Sequence, residues 1–357
     1  IDTGTGHDFG QGGNGEDIFT IYPGIGSPVL FGGFLAGFIA GDTHNDKLIV
    51  SGSAAVDRIQ VVKSGTGAQI FQRSGLGRVD SPTAVGIEEI FIDPGAGADE
   101  VRIDDLSGTV IKNVTINDKE FLNPDKAADT VIVNATANND IVTINQTYGL
   151  IRKGTGPTTP KGVKYRPDEF GTAQVVTGIG PRISTPNAVR DKLIVNTLGG
   201  SDTVTLATDL LPVGFVPASG TVEVNTGDGN DTVIIDALSS STTVRTGADN
   251  DTVMVGRFLG GKADGIRESL SLEGGSGIDT FRFDDTLSTI GKTGTIGAIG
   301  FLGVISGFGL GSVVLYDTME SVDVFLGSGG NLVTIDQANV DGVPAGNLTQ
   351  LTSVFTG

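Results

Sequence analysis

The sequence predicts an all-β protein built as a parallel β-solenoid with long insertions, and three observations lead to this prediction. Glycine supplies 56 of the 357 residues, well above the roughly 7% that it contributes to an average protein. Short runs of alternating apolar residues, rich in Val, Ile and Thr, are separated by turns of Gly, Asn and Asp. These runs recur in pairs, and internal repetition of this kind is typical of solenoids.

The two apolar runs of each pair begin about eleven residues apart. The paired starts are Asp46 and Asp57, Glu88 and Asp99, Asp129 and Asp140, Asp191 and Asp202, Gly220 and Asp231, Ser240 and Asp251, Glu268 and Asp279, and Glu320 and Asn331. The shortest spacing between successive pairs predicts coils of about 20 residues, with two short strands and two turns each. Because such a coil cannot bury its own apolar face, it must stack on its neighbours, with Val, Ile and Leu inward and Thr and Asp outward. A tandem β-sandwich is the alternative, since regularly spaced short strands also fit that fold.

Composition excludes several functions. The 42 acidic residues exceed the 23 basic ones and give a net charge of −19, which argues against a nucleic-acid partner. The absence of cysteine excludes disulfides, thiol catalysis and cysteine zinc sites. Residues 295–316 carry no charge but include six glycines, which argues against a membrane span. The chain opens Ile1-Asp2-Thr3, and we expect it to be a processed or excised piece of a longer polypeptide.

Glycine-rich turns followed by Asp carry the most specific signal. Residues 12–20 read Gly-Gly-Asn-Gly-Glu-Asp-Ile-Phe-Thr, residues 274–282 fit the same pattern, and residues 226–234 and 246–254 follow it with Thr at the first position. The pattern resembles the nonapeptide of RTX (haemolysin-type) calcium-binding β-rolls. Outside residues 3–20, however, the nonapeptides do not run in tandem.

The resemblance implies calcium bound between the loops of successive coils, by Asp carboxylates and backbone carbonyls. The implied ligands are Asp8, Asp17, Asp99, Asp202, Asp228, Asp231, Asp249, Asp251 and Asp279. In the alternative interpretation, these Asp and Asn residues close turns between strands without binding a metal.

Two insertions are candidate assembly contacts. Residues 151–190 hold seven basic residues against Asp168 and Glu169, so this segment could dock on an acidic copy or an anionic glycan, or remain a solvated loop. In residues 291–303 glycine recurs at every third position, which favours an extended path similar to polyproline II. The predicted contact residues are Arg152, Lys153, Lys161, Lys164, Arg166, Phe34, Phe38, Phe301 and Leu302.

The sequence divides into six segments. They are residues 1–20 (end of a nonapeptide array), 21–150 (irregular coils), 151–190 (basic insertion), 191–290 (most regular coils), 291–316 (glycine-rich insertion) and 317–357 (terminal coil). Candidate glycosylation sequons lie at Asn113, Asn134, Asn145, Asn230, Asn250 and Asn347.

The function that these features predict is structural. We expect an extracellular or cell-surface segment of a surface layer, adhesin or filament, supported by calcium and forming a homo-oligomer or polymer. The chain lacks a nucleophile elbow, a His-Glu-x-x-His motif and a phosphate-binding loop, so no enzyme activity is predicted. The alternative is a β-helical lyase or epimerase of acidic polysaccharide, with Tyr148, Arg152, Lys164 and Tyr165 as its candidate cluster.

Overall fold

The computed structural model describes residues 2–3, 10–11, 16, 18–21, 38–41, 44–74, 77–81, 83–116, 127–150, 170–186, 191–208, 220–256, 262–336 and 351–357. This part of the chain is nearly all β, with 61% strand and no α-helix. A short 3-10 turn spans Ala263–Gly265. The all-β prediction is therefore confirmed. None of the described residues forms a helix long and apolar enough to cross a membrane.

The strands follow one another in short succession. In chain order they are β1 (Asp2–Thr3), β2 (Gly10–Gln11), β3 (Ile18–Ile21), β4 (Phe38–Ala40), β5 (Lys47–Ser53), β6 (Arg58–Ser64), β7 (Gly67–Ser74), β8 (Gly77–Asp80), β9 (Thr83–Val85), β10 (Glu89–Gly95), β11 (Glu100–Ile103), β12 (Asn113–Ile116), β13 (Thr130–Asn134), β14 (Ile141–Leu150), β15 (Phe170–Thr177), β16 (Arg182–Pro186), β17 (Lys192–Asn196), β18 (Thr203–Thr208), β19 (Thr221–Asp228), β20 (Thr232–Ile235), β21 (Ser241–Ala248), β22 (Thr252–Val255), β23 (Leu270–Ser276), β24 (Thr280–Asp285), β25 (Thr293–Ile299), β26 (Leu302–Gly307), β27 (Val314–Asp317), β28 (Ser321–Leu326), β29 (Leu332–Asp336) and β30 (Leu351–Thr356).

These strands form two large, mostly parallel sheets. Sheet 1 has the order β1-β3-β5-β10-β12-β16-β15-β14-β18-β20-β22-β24-β28-β30. Sheet 2 has the order β2-β4-β9-β7-β6-β11-β13-β17-β19-β21-β23-β27-β26-β25-β29, with β8 paired to β7. From β17 to β24 the chain alternates between the sheets, and Lys192, Thr221 and Ser241 stand in parallel register in sheet 2. A tandem β-sandwich would show antiparallel pairing instead.

The eight predicted pairs of strand starts agree with the structure. Each predicted start directly precedes a strand, except Glu268, which lies two residues before β23. The pairs are not equivalent, however, because those starting at Asp46, Glu88 and Glu320 begin in sheet 1 and the others begin in sheet 2. Single strands such as β12 and β27 lie between pairs and change the sheet in which the next pair begins. Several predicted spacings therefore do not separate strands that pair with each other.

The core lies between the two sheets and follows the alternation of the sequence. In β20 and β24, Val233, Ile235, Phe281 and Phe283 are fully buried, while the residues between them are partly exposed. Alternate side chains of a strand point to opposite faces, so every second apolar residue enters this core.

The two insertions differ in how far the structure describes them. In the basic insertion, residues 151–169 and 187–190 lie outside the described residues, and β15 and β16 join sheet 1 in antiparallel pairing. The glycine-rich segment forms the antiparallel hairpin β25–β26, so the polyproline-like path predicted there is wrong. A Cβ at Gly294 or Gly303 would overlap the rings of Phe308 or Tyr316, which explains glycine at these two positions by close packing.

Candidate metal centre

Acidic residues at the strand starts of sheet 1 form a continuous series, which we call the carboxylate ladder. Its members are Asp140, Asp202, Asp231, Asp251, Asp279 and Glu320. The backbone N–H of each member donates to the carboxylate of the next, at N···O distances of 2.7, 2.8, 2.8, 2.9 and 2.7 Å in this order. The four central carboxylates are buried, with 0–2% of each residue exposed. The predicted outward orientation of these Asp side chains is therefore wrong.

The carboxylates point inward because the backbone N–H at each junction between a turn and a strand needs an acceptor. A buried backbone donor without an acceptor costs free energy comparable to a lost hydrogen bond. Because Asp231 and Asp251 are 20 residues apart and start adjacent strands, one carboxylate can satisfy the donor of its neighbour. The same arrangement occurs at the starts of sheet 2, where the N–H of Asp57 donates to Asp99 and the N–H of Asp99 donates to Asp129.

Asparagines in the same turns bond in the opposite direction along the stack. Asn230 accepts from the N–H of Asn250 at 2.9 Å, and Asn250 accepts from the N–H of Ile278 at 2.8 Å. These bonds join residues 20 and 28 positions apart, whereas an Asx-turn joins residues two positions apart. The Asn-Asp dipeptides therefore connect successive turns of the stack as well as shaping their own turns.

The ladder leaves one carboxylate oxygen of each central member without a hydrogen bond among the described residues. These oxygens are Oδ2 of Asp202, Asp231, Asp251 and Asp279. Burial raises the pKa of Asp251 to about 6, although the hydrogen bond from the Asp231 N–H opposes this shift. Burial also raises the pKa of the other three carboxyls, and neighbouring carboxylates add to it. A row of buried, mutually repelling carboxylates is an environment that favours a cation or protons.

Calcium fits this geometry only through a small number of carboxylates. The ion takes six to eight oxygen ligands. No group of three or more His, Cys, Asp or Glu in the described parts of the chain could hold a metal ion. The residues that would fit are Asp231 with its unpartnered Oδ2 and Asp249, whose charge is close enough to raise the pKa of Asp231. A bound ion would therefore depend mainly on backbone carbonyls and water.

The other predicted ligands lie in different places. Asp228 is exposed at the end of β19, and Asp249 is exposed on a turn, where it has a left-handed backbone with φ of 77°. Asp99 belongs to the ladder of sheet 2 and is thus separated from the carboxylate ladder of sheet 1. Asp8 and Asp17 lie outside the described residues.

The predicted assembly and glycosylation residues are only partly described. Phe301 is 73% exposed at the tip of the β25–β26 hairpin, next to Leu302 at the start of β26. Phe38 begins β4, and Tyr148 of the alternative catalytic cluster lies in β14. Of the sequons, three lie in strands and two in exposed turns: Asn113 in β12, Asn134 in β13, Asn145 in β14, and Asn230 and Asn250 in the turns. Outside the described residues lie Phe34, Arg152, Lys153, Lys161, Lys164, Tyr165, Arg166 and Asn347.

Sequence reasoning missed the threonines that stack beside the ladder. The hydroxyl of Thr226 donates to the Thr246 carbonyl at 2.8 Å, and the hydroxyl of Thr246 donates to the Gly274 carbonyl at 2.8 Å. The signal was present in the sequence, because Thr replaces the first glycine of the nonapeptide at these two positions.

Comparison with known proteins adds no family assignment. No protein-family model matches the chain, and no curated protein matches it in sequence. The geometry of the described residues is therefore the basis for a functional proposal.

Proposed function

We propose that this chain is a β-solenoid segment that gives rigidity to a larger extracellular or cell-surface protein, such as a surface layer, adhesin or filament. The observation that carries the proposal is the stacking of strands in two mostly parallel sheets, joined by hydrogen bonds between side chain and backbone at several successive turns. In such an array each strand contacts only its neighbours, so the array can grow along one axis.

The ends of the two sheets support assembly between copies. Among the described residues, β29 and β30 are the last strands of their sheets at one end, and β1 and β2 are the last at the other. On β29, Leu332 is 63% exposed and Ile335 is 58% exposed. An edge strand with exposed apolar side chains is a template for pairing with another chain, so a homo-oligomer or polymer would form through these ends.

Calcium is the second part of the proposal. A cation near Asp231 and Asp249 would neutralise carboxylates that burial and mutual repulsion otherwise destabilise. Extracellular modules bind calcium at submillimolar to millimolar concentrations, so weak sites rich in backbone ligands would be occupied there.

Sedimentation velocity in millimolar calcium and in chelator tests both parts. We expect calcium to convert a slower, expanded species into a compact or polymeric one. Asp231→Asn should abolish this response, whereas Asp323→Asn, on a partly exposed position of β28, should retain it. An identical compact profile in calcium and in chelator would refute the calcium proposal.

Edge variants test assembly separately. Ile335→Lys places a charge on the edge strand β29 and should reduce self-association at high protein concentration. Ile141→Lys is the matched control, because Ile141 is 74% exposed but lies in β14, between β15 and β18 within sheet 1. Equal self-association of wild type and Ile335→Lys, at every concentration and with or without calcium, would refute assembly through this edge.

A further inference from the structure

A cluster of three arginines lines a depression on the outer face of sheet 2, far along the chain from the most regular turns. The depression encloses about 430 Å³, and its walls include Arg58, Gln60, Phe71, Arg73, Glu100 and Arg102. Three arginines against one glutamate give a local charge of +2, in a chain whose net charge is −19.

The register of three adjacent strands brings the arginines together. Arg58 of β6 stands opposite Arg73 of the antiparallel strand β7. On its other side β6 pairs in parallel with β11, which places Arg102 opposite Gln60. Directly opposed residues have Cβ atoms about 4.5–5.5 Å apart, so long arginine side chains on these strands can reach one ligand.

These arginines keep their charges unpaired. Among the described residues no carboxylate lies within ion-pair distance of Arg58, Arg73 or Arg102. The Nε–H of Arg102 is buried and has no acceptor within the described part of the chain. Asp104 lies two residues after Arg102, just past the end of β11, but its two oxygens accept from Gln60 and Asn134, each at 2.7 Å.

Other charges on the same face of sheet 2 form ion pairs. Glu223 binds Lys192 at 2.6 Å and Arg245 at 2.9 Å, and Arg245 also reaches Glu273 at 3.0 Å. Arginines without ion-pair partners, on the same face as charges that are paired, can bind an external anion.

We propose that this arginine cluster binds a carboxylated sugar unit of an acidic polysaccharide. A guanidinium holds a carboxylate with two parallel N–H···O bonds, which a lysine cannot do. Phe71 offers an apolar wall for the carbon face of a sugar ring, and the Gln60 side chain lies between Phe71 and Arg102. The open face of a sheet lets a linear chain continue on both sides of the bound unit. The site is independent of the proposed calcium and assembly contacts.

Calorimetric titration with tetragalacturonate in about 0.15 M salt tests the proposal, since surface charges are screened there. We expect saturable binding to the full chain and at least a tenfold loss of affinity for Arg102→Gln and Arg58→Gln. Arg102→Lys keeps the charge without the fork and should also lose affinity. Arg245→Gln is the matched control, because it removes one positive charge from the same face outside the cluster, and it should bind as wild type does.

Neutral and sulfated oligosaccharides test which kind of ligand the arginine cluster binds. A neutral oligosaccharide of equal length should not bind, and a sulfated one should bind more weakly than tetragalacturonate if the arginines are arranged for planar carboxylates. Equal losses for Arg245→Gln and Arg102→Gln, or no saturable binding, would overturn the proposal. Loss of self-association by Arg102→Gln in sedimentation, without any glycan binding, would also overturn it and would assign the cluster to contacts between copies.

Discussion

Replacing Asp251 tests whether the carboxylate ladder stabilises the fold through its hydrogen bonds. In the structure, Oδ1 of Asp251 accepts from the N–H of Asp231 at 2.8 Å, while Oδ2 is buried and has no partner among the described residues. Asp251→Ala removes the acceptor and leaves a buried N–H unsatisfied. Asp251→Asn keeps an oxygen at the acceptor position and removes the negative charge.

The expected magnitudes differ for the two substitutions. A hydrogen bond to a charged group contributes about 1.5–3 kcal/mol, and leaving a buried donor unsatisfied costs about 1–3 kcal/mol. Both variants also lose a negative charge that burial disfavours, because burial raises the pKa of Asp251 to about 6. In chelator at neutral pH, this gain in stability offsets part of the cost of the altered hydrogen bond. We therefore expect Asp251→Ala to lie about 1–3 kcal/mol below Asp251→Asn in stability.

Hydrogen exchange gives a local measurement of this difference, since stacked arrays need not unfold in one step. The Asp231 amide should exchange about tenfold faster, or more, in Asp251→Ala than in Asp251→Asn, because a factor of ten corresponds to about 1.4 kcal/mol. The Val131 amide in sheet 2 serves as the control and should not change. Equal exchange of the Asp231 amide in both variants would refute the structural role of the ladder.

Three further predictions concern the packing at Gly247, the ion pair of Lys292 and the titration of Asp251. Gly247→Ala should destabilise the protein by about 3 kcal/mol or more, because its Cβ would overlap the Gly227 carbonyl oxygen at a left-handed φ of +106°. Gly65→Ala, at a left-handed φ of +63° in open space, should cost only about 1 kcal/mol, so equal losses in urea unfolding would contradict the packing argument. Lys292→Met should cost about 3–5 kcal/mol, because it leaves the fully buried Asp285 without the ammonium group 2.9 Å away; a loss below about 1 kcal/mol would show that this ion pair is dispensable. In chelator, the stability of wild type relative to Asp251→Asn should rise as the pH falls from 7 towards 4, because the raised pKa makes the folded protein bind a proton more tightly than the unfolded chain; a constant difference in melting temperature over this range would contradict the shift.

The sequence alone was sufficient for the local features of the fold. Alternating apolar residues predicted where strands begin, because period-two burial is a property of each strand and its immediate turn. The Asp residues that precede these strands were predicted as calcium ligands from the resemblance of their turns to RTX nonapeptides, and the structure places Asp202, Asp231, Asp251 and Asp279 in one hydrogen-bonded series.

Features that depend on pairing between distant strands required the tertiary structure. The inward orientation of the Asp carboxylates follows from the unsatisfied N–H of a neighbouring strand, and nothing in the local pattern identifies that neighbour. The glycine-rich segment pairs as a hairpin, in which Gly294 and Gly303 allow the rings of Phe308 and Tyr316 to approach closely. A repeat of three in its sequence carries no information about those rings.

The arginine cluster shows the same division between sequence and structure. Arg58 and Arg73 lie on successive strands of the chain, whereas Arg102 follows only after several further strands. They meet because β7 folds back on β6 while β11 stacks beside it in parallel. Periodicity records which face of a strand is buried, but register decides which side chains of the other face become neighbours. The sequence therefore determined the strands and the turns of this protein, and only the register between strands decided its candidate sites.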